Sequence, residues 1–290
     1  MGTSGSSGGP GSNTSLVPTW LDEPDAGPLP GGDDAPPEGE GGPGDQGGQD
    51  DASPRPEIEP APIPARFQGA RRNFSAFAGS GGNDRGALRR AVRDYVRSGT
   101  RGSARATRRM GASRAATSGM LGILRGFQRD GVDATLRRLN LGNLAGRPAA
   151  EVFLGLTDVI CRDGGSIDEG IARDAWLETI AELDRLGIED LDGLTGEQIQ
   201  EVFLSFVAHA IETRLFQDIG TNGLRMAADL DAIEAFEAQF RDYIRRGVRD
   251  AFASDLTRLA ELSDRDIGNI VDETYRNAWE LLEVWGDTEG

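Results

Sequence analysis

Apolar residues recur at helical spacing from position 84 onward. Leu88, Val92 and Tyr95 share one face of a predicted helix that runs from Asp84 to a C-cap at Gly99. Two stretches beside this helix are less regular. The segment 66–82 is interpreted as a transition, and four glycines weaken the helical pattern over 103–129.

Capping patterns mark two helices of the C-terminal half. Ser166 with Glu169, and Thr195 with Gln198, have the spacing of a capping box, in which each side chain bonds the other residue's backbone N–H. The Ser166 helix is expected to continue to Gly187.

Three further helices follow mainly from apolar spacing. They cover a run that Pro148 opens as a first-turn residue and that continues through Ile160, the positions 233–248, and a last helix opened by Ser263. No segment alternates apolar and polar residues as a half-buried strand would. The pattern therefore predicts an all-α, bundle-like domain.

The first 65 residues have a different composition. They contain 13 of the 14 prolines and 14 of the 41 glycines. Such a segment buries too little apolar surface to offset chain entropy, so a long disordered Gly/Pro/Asp-rich N-terminal tail is predicted. A flexible chain of this length has an r.m.s. span of about 45 Å.

Charge divides the chain at similar positions. Residues 1–65 carry 12 acids and one arginine, 66–129 carry 15 arginines and two acids, and 130–290 carry 34 acids and 15 arginines. We therefore interpret 1–65 as a tail, 66–129 as an Arg-rich transition with helices, and 130–290 as an acidic α-helical domain. The net charge of −17 argues against nucleic-acid binding over the whole surface.

The Arg-rich block contains three arginine pairs, which are candidate contacts for anions or nucleic acid: Arg71, Arg72, Arg89, Arg90, Arg108 and Arg109. Guanidinium groups suit both phosphates and carboxylates. Two alternatives stay open. The block binds a protein or nucleic-acid partner, or it is neutralised by the acidic parts of its own chain.

No catalytic motif stands out. His209 is the only histidine and Cys161 the only cysteine, so a metal site lacks ligands and both residues are interpreted as structural. A Walker A loop needs a lysine, which the chain lacks. We expect a non-enzymatic protein that has no cofactor or metal of its own.

No secretory signal or apolar run of membrane-spanning length is present, and a lone cysteine suits a reducing compartment. These features predict a cytoplasmic protein without membrane contact.

One apolar hexapeptide interrupts the N-terminal tail. Leu16, Val17, Pro18, Trp20 and Leu21 belong to it, and Trp and Leu are effective anchors in protein interfaces. We interpret it as a partner-docking segment. The alternatives are a chance apolar patch and a strap over the chain's own domain.

Three strings, MGTSGSSGGPGS with LVPTWL, RRNFSAFAGSG (71–81) and ATRRMGASRAA (106–116), resemble the QatB family of the bacterial Qat anti-phage system. The resemblance implies partnership with a QueC-like enzyme, QatC, and an operon with the ATPase QatA and the TatD-like nuclease QatD. It assigns no activity to QatB, and it places ATP, zinc and a deazaguanine on the partner enzyme.

The chain contains no lysine, since all 31 basic residues are arginines. Its α-amine is therefore its only aliphatic amine, and Gly2 is small enough for Met1 to be removed. QueC-like enzymes activate a deazaguanine carboxylate with ATP and deliver ammonia. The hypothesis is that the Gly2 amine replaces ammonia and forms an amide with the deazaguanine.

Two rival functions remain. In the first, the chain is a nucleic-acid-binding or assembly adaptor whose Arg-rich block is the working surface. In the second, it is a phage or secretion-related structural protein with an acidic arm.

Overall fold

The computed structural model describes residues 65–161, 165–220 and 230–287. Over these residues the chain forms helices and turns and contains no strand, which confirms the predicted all-α fold. The predicted tail, 1–65, lies outside the described residues except for Ala65. None of the described helices is long and apolar enough to cross a membrane.

The α-helices are α1 (Gln68–Gly79), α2 (Arg85–Asp94), α3 (Ser103–Arg108), α4 (Gly111–Asp130), α5 (Val132–Arg138), α6 (Ala149–Gly155), α7 (Thr157–Ile160), α8 (Ile167–Ala181), α9 (Gly196–Leu215), α10 (Leu230–Ala251) and α11 (Asp264–Trp285). Short π-helices extend α2 over Tyr95–Gly99 and α9 over Phe216–Gly220. Turns of 3-10 helix lie at Ala65–Phe67, Gly142–Leu144 and Leu259–Glu261.

Capping boxes fix where three of these helices begin. Both predicted capping boxes are present, at Ser166 with Glu169 and at Thr195 with Gln198. Ser263 caps α11 in the same reciprocal way, with a carboxylate at the third helical position. Each box satisfies backbone N–H groups that the first turn leaves without helical partners.

One hydrophobic core spans the described chain. Helix α11 packs against α2, α3, α4 and α10, while α9 packs against α4, α8 and α10. The Arg-rich segment 66–129 therefore contributes α1 to α4 to the same core as the acidic segment 130–290.

Helix α1 corrects the interpretation of 66–82 as a transition. Its N-terminus has no side-chain cap, and two glycines lie within it. Packing supplies the stability instead. Phe74 is fully buried, with ring centroids 5.4 Å from Phe236 and 5.2 Å from Phe240 on α10. Such edge-on aromatic contacts stabilise beyond the area they bury.

Several predicted helix boundaries were wrong. Helix α8 ends at Ala181, six residues before Gly187, and turn hydrogen bonds follow it. The run after Pro148 divides at Leu156, and the less regular segment 103–129 forms two helices. Pro148 occupies the N-cap position rather than the first helical position.

Candidate functional site

The structure places the candidate residues in two groups. Gly2 and the docking segment, namely Leu16, Val17, Pro18, Trp20 and Leu21, lie outside the described residues. The six candidate arginines all lie within them.

Those six arginines have different environments. Arg71 on α1 and Arg109, which follows α3, converge on one residue, Asp218. Arg72 and Arg108 are exposed. The remaining two lie on α2, where Arg90 faces Asp84 at 3.9 Å and Arg89 is half-buried.

Asp218 is the centre of a junction between the two π-helices. It lies in the π-helix after α9, and its Oδ2 atom accepts a hydrogen bond of 2.7 Å from Tyr95, the first residue of the other π-helix. Arg109 donates to the same oxygen, also at 2.7 Å. Arg71 donates to the Asp218 backbone carbonyl from Nε at 3.0 Å and from its terminal nitrogen at 2.7 Å. π-Helical turns are rare and occur frequently at functional positions.

Burial makes this junction sensitive to charge. The Arg109 and Asp218 side chains are only 8% and 9% exposed. Burial, reinforced by the Asp218 carboxylate, raises the pKa of Tyr95, so the phenol remains protonated and donates. The junction is therefore a charge-assisted hydrogen-bond network shielded from water.

Arg214, one turn before Asp218 on α9, extends the network. Its guanidinium donates to the Arg109 backbone carbonyl at 2.7 Å and to Asp168 at the start of α8 at 2.5 Å. Burial alone lowers the pKa of Arg214, but Tyr95, Asp218 and Asp168 together outweigh it and leave the pKa raised. The residue thus stays charged although its side chain is 2% exposed.

An aromatic ring covers the network. Phe67 stacks on Tyr95 with a centroid distance of 5.4 Å, and the Arg109 guanidinium lies 5.2 Å from the Phe67 centroid. The ring approaches the π-helix so closely that a Cβ at Gly99 would lie 2.5 Å from it. Glycine at position 99 thus lets the 3-10 turn that follows the predicted tail seat against the helical body.

A second buried network surrounds His209. Its Nε2 lies 3.3 Å from Glu182, which also accepts from Ser205 at 2.6 Å and contacts Arg245. Burial lowers the pKa of His209, against the opposing effect of Glu212 and Glu178. His209 is thus a buried residue of the helical core, 2% exposed.

Cys161 is also a core residue. Burial raises the pKa of its thiol to about 11, so the reactive thiolate is scarce at neutral pH. Among the residues that the structure describes, no three His, Cys, Asp or Glu side chains are grouped so as to hold a metal ion.

Sequence reasoning missed the centre of the site. Asp218 is one acid among 34 in its segment, and it contacts Arg109 and Tyr95 across more than a hundred positions of sequence. A helical pattern cannot indicate such pairs. In the geometry observed, Arg71 and Arg109 bind the chain's own Asp218 and fasten α1, α2 and α3 to α9.

A protein-family model matches this chain. The family model described as "QatB: Qat anti-phage system associated protein QatB" matches residues 101–282, which is well over half of the chain. The matched part runs from the loop before α3 to the end of the α11 core. No curated protein and no solved structure matches significantly.

Proposed function

Since the chain belongs to the QatB family and is a component of Qat anti-phage defence, we propose that it is the substrate partner of the QueC-like enzyme of that system. In this proposal the enzyme activates the carboxylate of a 7-deazaguanine with ATP and joins it to the Gly2 amine. ATP, zinc and the deazaguanine bind the enzyme, and this chain supplies the nucleophile.

The proposal rests on the absence of lysine from the chain. All 31 basic residues are arginines, and a guanidinium stays protonated at cellular pH and is a poor nucleophile. An α-amine has a pKa of roughly 7.7–8.0, so about a tenth is neutral at pH 7. With Met1 removed, the Gly2 amine is the one aliphatic amine in this sequence that an activated acyl group would meet.

The proposed step is a simple acyl transfer. The neutral Gly2 amine attacks the activated acyl carbon, and a C–N bond forms as the ATP-derived leaving group departs. The nitrogen loses a proton to a base on the enzyme. The product is an amide, which is stable in water, so the modified chain persists after it leaves the enzyme.

The fold supports separate roles for the N-terminal segment and the helical body. The described residues begin at Ala65, and Phe67 is 2% exposed at the Asp218 junction. The helical body therefore holds the chain firmly directly after the N-terminal segment. We propose that Leu16–Leu21 bind the QueC-like enzyme and that residues 2–15 carry the Gly2 amine to its active site.

Co-expression with the QueC-like enzyme tests this proposal. The N-terminal peptide should gain the mass of one deazaguanine acyl group on Gly2. Thr3→Ala is the matched control and should be modified as the natural chain is. Gly2→Leu should retain Met1, so no adduct should form on residue 2. Trp20→Ala should slow the modification without changing its position. An unmodified natural chain after co-expression would refute the proposal.

A nucleic-acid or assembly adaptor is the second candidate. It is favoured by the exposed arginines on α3, Arg105 and Arg108, which form no ion pair among the described residues. Steeply salt-dependent binding of an oligonucleotide by the natural chain would support it. A weak response that is independent of salt would exclude it.

A further inference from the structure

Three arginines form an exposed cationic surface at the start of the matched family region. Arg105 and Arg108 lie one turn apart on α3, and Arg101 precedes the helix by two residues. All three are exposed, whereas Ala106 and Thr107 on the other side of α3 are buried. We call Arg101, Arg105 and Arg108 the α3 arginine surface.

This surface differs from several neighbouring arginines of the Arg-rich block. Arg97 pairs with Glu283 and Asp287, and Arg114 and Arg125 pair with Asp272 and Asp264 on α11. Within the described ranges, by contrast, no carboxylate lies within ion-pair distance of the α3 arginine surface. The acidic domain thus neutralises neighbouring arginines but not these three.

A fourth arginine lies near this surface. Arg66 lies close enough that burial, then Arg109 and Arg101, lower its pKa. Arg101 also adopts a φ of 59° in the left-handed region, which residues other than glycine rarely occupy. Like charges therefore lie close together at this exposed place, and an anionic partner would reduce their repulsion.

The chain itself contains a matching anionic segment. Residues 22–59 hold all 12 acids of the N-terminal segment and one arginine. Glu59 is six residues before Ala65, so even a fully extended chain keeps it within about 20 Å of the start of the structure. Arg66 follows immediately. A tethered segment of this kind has an effective concentration of roughly millimolar at its site.

We propose that the acidic segment 22–59 binds the α3 arginine surface of its own chain and covers it against other polyanions. Attraction between many exposed charges needs no single geometry, and it weakens as salt shortens the Debye length from about 10 Å at 0.1 M. The proposal is independent of Gly2 conjugation, because it concerns a different part of the N-terminal segment and needs no enzyme.

Arginine reactivity measures the cover directly. The full-length natural chain is compared with a full-length variant in which the 12 acids of 22–59 become Asn or Gln. Both are treated with phenylglyoxal, and peptide mass spectrometry gives the rate at each arginine. Arg129 is the matched control, because it is exposed and lies near the end of α4, about 27 Å from the start of that helix.

We call the variant without the 12 acids the neutralised variant. At 50 mM salt, Arg101, Arg105 and Arg108 should be modified several-fold more slowly in the natural chain than in the neutralised variant. The difference should disappear at 0.5 M salt, and Arg129 should react equally in both. Equal rates at the α3 arginine surface at low salt, or equal protection of Arg129, would overturn the proposal. Circular dichroism of both proteins verifies that the helical body is unchanged.

Oligonucleotide binding separates the chain's own segment from nucleic acid as the occupant. A fluorescent single-stranded 20-mer should bind the neutralised variant at least tenfold more tightly than the natural chain. Combined Arg101→Ala, Arg105→Ala and Arg108→Ala substitutions in the neutralised variant should remove that gain. If the natural chain binds as tightly as the neutralised one, or the gain survives the three substitutions, the proposal fails.

Discussion

Replacing Asp218 with asparagine tests the junction that holds α1 to α3 against α9. The side chain keeps its shape, and one oxygen can still accept the hydrogen bond from Tyr95. The carboxylate charge facing Arg109 is lost. Arg71 bonds the backbone carbonyl of residue 218, and the substitution leaves these two hydrogen bonds in place.

The expected cost follows from the burial of both partners. Removing one member of a buried ion pair costs about 3–5 kcal/mol, because the other charge remains buried without compensation. The contact of Arg109 with the Phe67 ring, at 5.2 Å, offsets part of this loss. We therefore expect Asp218→Asn to lower the free energy of unfolding by about 3 kcal/mol.

Urea unfolding followed by tryptophan fluorescence and circular dichroism gives this number. Asp272→Asn is the matched control, since its pair with Arg114 is solvent-exposed on the aspartate side, and exposed pairs contribute about 0–1 kcal/mol. The junction would have no special role if both substitutions cost the same, or if Asp218→Asn cost less than about 1 kcal/mol.

Three further predictions concern groups inside the helical body. The only histidine signal, from His209, should titrate below the ordinary value of about 6.5 in an NMR pH series, because burial disfavours the imidazolium; a pKa at or above 6.5 would contradict this burial. Gly99→Ala should cost about 1–3 kcal/mol by forcing the Phe67 ring away. Its control Gly119→Ala, with nothing within 4 Å, should gain about 0.5–1 kcal/mol in urea unfolding. The Cys161 thiol should resist a disulfide reagent at pH 7.5 until urea unfolds the chain, since burial raises its pKa to about 11; rapid reaction in the native state would show that it is accessible.

Local signals were sufficient to predict the helices that begin with a cap. Ser166 and Thr195 bond the N–H three residues onward, and their partners Glu169 and Gln198 bond back. Both interactions lie within one turn, so they can be read from spacing alone. The all-α class followed from the same periodicity.

Tertiary contacts decided the features that the sequence did not reveal. Helix α1 has an uncapped start, and it is held by Phe74 against α10. The Asp218 junction depends on Arg109 and Tyr95, more than a hundred residues away in sequence. Composition left two possibilities for the Arg-rich block: its arginines bind a partner, or they pair with the acidic parts of their own chain. Only the fold shows that Arg109 is buried on Asp218 while Arg108 is exposed.

The central claim is that the Gly2 amine is the acceptor of an enzyme-made acyl group. Its most direct test is the intact mass of the chain from cells that carry the whole Qat operon, with and without an active QueC-like enzyme. The account predicts that Met1 is absent in both strains. It predicts one deazaguanine amide on Gly2 only when the enzyme is active. Identical masses in the two strains would contradict it.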